Sequence, residues 1–137
     1  MASNRSCLLA IAAAGLVTYG AAALLAHHSF VAEFDGKKQL TIVGKVTKID
    51  WTNPHAFIYV DVADPQGTTA NWGVELGPPN ALLRAGWKRS AVSIGDQLTV
   101  NGYASKDGSK RLNARAVQLS DGRNIFAGSV SDTDSPK

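Results

Sequence analysis

The 137-residue sequence contains one cysteine, Cys7, and one methionine, Met1, and both lie at its extreme N-terminus. A single thiol builds neither an intrachain disulfide nor a thiolate metal centre, and a cysteine nucleophile in the body of the chain is excluded. Histidine is nearly as scarce: His27, His28 and His55 are the only imidazoles, and no serine, aspartate and histidine spacing among them reads as a catalytic triad. Charged residues make up 18% of the chain. They alternate in sign, as in "EFDGKK" and "KVTKID", so no run is long enough to act as a phosphate-binding arm. The formal charge of +3 is carried by a mixed surface. Asp50 and Glu75 are the one carboxylate pair worth weighing for glycoside hydrolysis, and nothing in the spacing sets them across a cleft.

What is present starts with Arg5 and the uncharged run "CLLAIAAAGLVTYGAAALLA" from Cys7 to Ala26. A basic residue, an apolar stretch and a small-residue end are the parts of a secretory signal peptide, expected here over residues 1–26. Ala26 suits the position before a cut, but Leu24 does not suit the position two earlier. Ala21-Ala22-Ala23 would fit better and would leave "LLAHHSF" at the new terminus. The run is long enough to span a bilayer, so an uncleaved segment would anchor the chain, although Thr18, Tyr19 and Gly20 interrupt it. The expectation is a periplasmic or secreted protein, with a domain over residues 27–128 and a frayed polar tail over 129–137. Loss of Arg5 with the signal leaves a charge of +2.

From Leu40 the chain reads as short strands. "LTIVGKVTKIDW" puts Leu40, Ile42, Gly44 and Val46 on one face, and Ile49 and Trp51 follow in the opposite phase. A bulge near Thr47-Lys48 accounts for the slip, and Gly44 permits curvature. "AFIYVDVADPQG" sets Ala56, Ile58, Val60 and Val62 against Phe57, Tyr59 and Asp61 before the turn signal "DPQG". Its partner "TANWGVEL" sets Trp72, Val74 and Leu76 against Asn71, Gly73 and Glu75. "GPPNALLRAGW" has prolines before good helix formers and Gly86 after them, which reads as a two-turn helix. "IGDQLTVNGYASKDG", "LNARAVQLSDG" and "RNIF" then supply two strands and a brief return. The expected fold is all-β: a small five- to six-stranded OB-like Greek-key barrel with one short helix between strands 3 and 4.

The segments "HHSFVAEFD", "GKVTKIDWTNPHAFIYVDV", "NWGVELGPPNALLRAGW", "GDQLTVNGYASKDGS" and "NARAVQLSDGRNIFAG", in this order, resemble a domain-of-unknown-function family of small secreted bacterial proteins. The resemblance runs over residues 27 to 128. It implies export and the domain boundary and carries no established activity. In that family the paired histidines commonly follow the signal directly, often after an Ala-x-Ala end, where this chain has Leu24.

Two adjacent histidines at a processed terminus point to metal. If cleavage follows Ala26, the free amine and ring of His27 can chelate Cu(II), with the ring of His28 or His55 as a further ligand. If Ala26 is itself the first residue, His28 is third, and the amine, two backbone nitrogens and His28 make a square-planar set. The plainer reading of the pair is a frayed polar end. "WTNPHAF" places His55 at the mouth of the second strand on the same face as Phe57 and Tyr59, where Glu75 of the next strand can join it; its plainer role is a strand-edge hydrogen bond.

Phe57 and Tyr59 form the competing candidate, an outer aromatic platform for a saccharide, a peptide or another envelope protein. Export and the small charge argue against a nucleic-acid partner, and a membrane contact is expected only if the signal stays uncleaved. "HHSFVAEF" could instead cover these rings, because Phe30 and Phe34 must pack somewhere. Lys88 and Arg89 beside Trp87 read as a solvated turn, and "SKDGSKR" as a polar hairpin. The expected function is an exported binding or accessory module rather than an enzyme, with copper held by His27, His28, His55 and Glu75. The alternative is a metal-independent interaction module that uses Phe57 and Tyr59.

Overall fold

Strand pairing places the site. The computed structural model describes residues 30–128, as one helical turn over residues 30–33 followed by six strands. These are β1 (Phe34–Asp50), β2 (Phe57–Ala63), β3 (Thr69–Glu75), β4 (Gln97–Ser105), β5 (Arg111–Gln118) and β6 (Asn124–Phe126). A helix α1 (Pro79–Arg84) and a 3-10 turn (Arg89–Ala91) lie between β3 and β4. The protein is all-β, in one mostly antiparallel sheet of order β3-β2-β1-β4-β5-β6. β3 also pairs with β5, in parallel, through Gly73 with Arg111, Val74 with Leu112 and Glu75 with Asn113.

The alternation read from the sequence sorts the faces. Ile42, Val46, Ile58, Val60, Val74, Leu98, Val100, Leu112, Ala114 and Val117 form the buried core, with Leu82, Trp87 and Val92 closing it from the connection between β3 and β4. The β1–β2 register slips between Val46 and Lys48, the bulge expected near Thr47-Lys48. Gly44 permits a close crossing, since a Cβ there would stand 2.8 Å from the Asp61 carbonyl oxygen. α1 opens on Pro78 and Pro79, whose fixed φ suits a first turn. It leads to Trp87, which meets Trp51 edge-on at 6.0 Å. Arg89 lies over the Trp51 ring at 5.7 Å, so "GWKRS" forms a turn around a core tryptophan.

One boundary differs from expectation. β1 begins at Phe34 rather than Leu40, because Phe34 is buried and pairs with Ser105 of β4. The polar "DGKK" between them is carried as an irregularity in the β1–β4 register, between Phe34 and Gln39. Asp35 accepts the Lys37 backbone N–H there at 3.0 Å. An apolar residue across the polar gap thus extends the strand by tertiary pairing.

The β4–β5 connection is the hairpin expected of "SKDGSKR". The Ser109 hydroxyl, then the Ser109 backbone N–H and the Ser105 hydroxyl, hold the Asp107 carboxyl below the usual carboxylate range. A carboxyl depressed in the folded state stabilises the turn above its unfolded pKa, and that stabilisation is lost as pH falls through the folded value. An NMR titration of Asp107 should therefore give a midpoint below that of the unfolded chain, and Ser109→Ala should raise it.

β4 and β5 approach closely at Gly102, beside a register shift between Asn101 and Gly102. A Cβ at Gly102 would stand 2.1 Å from the Asn113 carbonyl oxygen. Gly102→Ala should cost about 3 kcal/mol, the upper range for an overpacked core. It should be read as a lower urea midpoint at unchanged slope; a variant as stable as the parent would show that β5 yields.

Candidate functional site

The outer face of the β3–β5 junction gathers the ionic groups. Val74 and Leu76 enter the core, so Glu75 between them faces outward, and Leu112 and Ala114 leave Arg111 and Asn113 on that face by the same alternation. The chain before β2 is tied to the end of β3 by two backbone bonds, Leu76 N–H to Ala56 O at 2.8 Å and Ala56 N–H to Gly77 O at 3.2 Å. His55 therefore lies beside Glu75. Its Nδ1 stands 2.6 Å from Glu75 Oε1, with side chains 31% and 9% exposed respectively.

The second oxygen of Glu75 faces Arg111, whose Nη2 is 3.4 Å from Oε2. The same nitrogen is 2.8 Å from Glu33 Oε2, so one guanidinium serves two carboxylates. Its central carbon lies 5.4 Å from the centroid of the Phe34 ring. A largely buried carboxylate requires such compensation, since an unpaired buried charge costs several kcal/mol. Glu75 thus has both oxygens engaged, one by an imidazole and one by a guanidinium.

Beside this cluster runs the aromatic face. The Phe57 and Tyr59 rings are 6.4 Å apart at an interplanar angle of 24°. Tyr59 lies next to Gly73, where a Cβ would meet Tyr59 Cε1 at 3.7 Å and Arg111 Cγ at 3.8 Å. Lys48 Nζ is 5.1 Å from the Tyr59 centroid and 2.7 Å from Asp50 Oδ2. The Asp50 hydrogen bond and charge hold that ammonium above the usual lysine range. Asn71 Nδ2 bonds Asp61 Oδ1 at 2.8 Å and Thr47 Oγ1 at 3.0 Å, which fixes the far end of the face.

The structure brings His55 to Glu75 and Phe57 to Tyr59, as the shared parity requires. His27 and His28 lie outside the described residues. Asp50 and Glu75 are separated by β2, each paired in register with Phe57. Among the described residues, no group of three or more histidine or carboxylate side chains stands ready to hold a metal. Phe30 stacks on Phe34 at 5.9 Å and meets Tyr103 edge-on at 5.5 Å, so these phenylalanines pack on β4 and β5 rather than covering the Phe57–Tyr59 pair. Arg111, Glu33, Asn113 and Tyr103 were not among the residues singled out from sequence. Alternation in "RLNARAV" marks Arg111 and Asn113 as outward-facing, but the parallel β3–β5 register that sets them beside Gly73 and Glu75 has no local signal.

A small all-β protein with an ion-paired outer face flanked by aromatic rings is the class these features define. The chain belongs to DUF6152, a family of unknown function, whose model matches residues 14–113. No curated protein and no solved structure matches it.

The shared guanidinium yields a graded prediction. Arg111→Met should lower stability by about 2 kcal/mol, below the usual cost of breaking a fully buried pair because the side chain is partly exposed. Glu33→Gln should cost about 0.5 kcal/mol, as for an exposed ion pair. Urea denaturation at neutral pH measures both; equal losses would show that Glu75 does not depend on Arg111.

Proposed function

We propose that the protein is an exported, non-catalytic binding or accessory module, periplasmic or secreted, that holds one copper ion through His27, His28 and His55. The observation that carries this reading is the 2.6 Å contact between His55 Nδ1 and the buried Glu75 carboxylate. A carboxylate on one ring nitrogen fixes the tautomer, orients the ring and strengthens the other nitrogen as a ligand, the supporting arrangement that metal-ligating histidines use. Nε2 of His55 is then the ligating atom, beside the amine and ring of His27 and the ring of His28, a nitrogen set that suits Cu(II). Glu75, with both oxygens engaged, acts on the ring rather than on the metal.

Reach supports the assembly. Glu33 contacts Arg111, Arg111 contacts Glu75, and Glu75 contacts His55. Residues 30–33 form a helical turn, and His28 lies two residues before it, an extended span of up to about 7 Å. For the fold, the strand ring β1-β2-β3-β5-β4, with α1 between β3 and β4, supports assignment as an OB-like Greek-key barrel.

The metal-independent reading rests on the near-parallel Phe57 and Tyr59 rings, a platform for a saccharide or a partner protein.

Native mass spectrometry of the exported chain exposed to copper separates the readings. The expected species begins at His27 and carries one copper ion, and Glu75→Gln should weaken copper binding by about 10-fold to 100-fold. A terminus at Leu24, an uncleaved chain, or no copper retained at low micromolar concentration sinks the metal reading. The test then moves to Phe57→Ala and Tyr59→Ala variants against saccharide and envelope-protein ligands.

A further inference from the structure

The N-terminal turn and the face beneath it hold three features that neither the copper site nor the Phe57–Tyr59 platform uses. Phe34 is buried yet lies outside the main core cluster. Its ring stacks with Phe30, which meets Tyr103 of β4, and the Arg111 guanidinium of β5 lies over it. Residues 30–34 thus form a strap across the outer face of β4 and β5. Among the described residues, the strap is held by the Phe34–Ser105 pairing with β4 and by three further bonds: the Lys106 backbone N–H donates to Glu33 O at 2.9 Å, Lys106 Nζ donates to Val31 O, and the Glu33 carboxylate accepts from Arg111 at 2.8 Å. Asn113 is 9% exposed, and its Oδ1 is buried without a hydrogen-bond partner among the described residues. It stands in register between Glu75 of β3 and Tyr103 of β4, and the strap reaches both flanks, through Arg111 and through the Phe30 ring.

We propose that this patch binds the carboxyl terminus of a peptide and that the strap fills it in the ligand-free protein. The planar guanidinium of Arg111 takes the terminal carboxylate in place of Glu33. The N–H of the terminal residue satisfies Asn113 Oδ1, an acceptor whose burial without a donor is otherwise unfavourable. An apolar terminal side chain packs on Tyr103 where Phe30 now lies. The strap itself offers a carboxylate and phenyl rings, and the missing donor at Asn113 is what it fails to supply. A C-terminal residue carries both carboxylate and N–H on one α-carbon, which selects it as the ligand class.

The strap sets the apparent affinity. Because Glu33 is tethered, an external carboxylate competes against an effective concentration on the order of millimolar. Binding is weakened by the fraction of molecules whose strap is closed.

The proposal is independent of copper, since Arg111, Asn113 and Tyr103 are not among the metal's proposed ligands and the test contains no metal. The exported chain is titrated by NMR with N-acetyl-phenylalanine and, separately, with N-acetyl-phenylalaninamide, which lacks the carboxylate. The acid should shift the Arg111 Nε–H and Asn113 side-chain amide signals, and the amide should not. Glu33→Gln should tighten acid binding about 3-fold by releasing a competitor held by an exposed ion pair. Asn113→Leu should weaken it about 10-fold while the melting temperature stays level or rises, because an unsatisfied buried polar group has been removed. Equal binding of acid and amide, no gain in Glu33→Gln, or no loss in a folded Asn113→Leu would each overturn the proposal.

Discussion

Three parallel residue pairs between β3 and β5 join strands that are far apart in the chain, and the outer site exists because of them. β5 pairs with β4 along one edge and divides its other edge between two short partners. Gly73 to Glu75 of β3 take its first residues, and β6 takes Ala116 to Gln118. Ala127 bridges the change of partner, donating to Arg115 O and accepting from Gly77 N–H, both at 2.8 Å. An edge left open here would offer unpaired backbone groups to other chains. Two partial strands and one bridging residue cover it instead.

The same junction sets the electrostatic demand. Parallel register puts Glu75 beside Asn113 and Gly73 beside Arg111, so the carboxylate and its counter-ion come from adjacent rows of neighbouring strands. Gly73 leaves the space through which the stem of Arg111 and the ring of Tyr59 approach one another. The buried carboxylate then draws a guanidinium from β5 and an imidazole from the start of β2. Breaking such a group by removing one partner costs more than the group contributes as a whole, because the remaining charge stays in a poorly solvated place. The ionic cluster therefore reads more naturally as an arrangement that fixes side-chain positions than as a source of net stability.

Local pattern carried much of the fold. Two-residue alternation in "AFIYVDV" and "NWGVEL" assigned both faces of β2 and β3, the phase slip after Val46 located the bulge, and prolines before "NALLR" located α1. The same parity placed His55 with Glu75, because adjacent strands with a short connection have a register that turn and pattern fix together. Information was missing wherever partners are distant in sequence. Nothing within "FVAEFDGKK" says that Phe34 will pair with Ser105. The contact of Arg111 with Glu33 spans 78 positions, and no periodicity encodes it. A charged residue in an outward position reads as solvated surface until its distant partners are in place.

Arg111 also decides how events at the two ends of the ionic cluster affect each other. Its guanidinium is shared between Glu33 of the strap and Glu75, which holds the His55 ring. Were Glu33 to leave with nothing in its place, Arg111 would be drawn more fully to Glu75, and the carboxylate would have less charge to offer the imidazole. A ligand carboxylate that takes Glu33's place restores the sharing one for one. Strap opening alone would therefore weaken the orientation of His55, whereas ligand exchange on Arg111 would leave it nearly unchanged. Linkage would make any such effect reciprocal: on the proposed copper reading, a metal on His55 would pull Glu75 toward the imidazole and leave Arg111 more available to the strap, favouring its closed state.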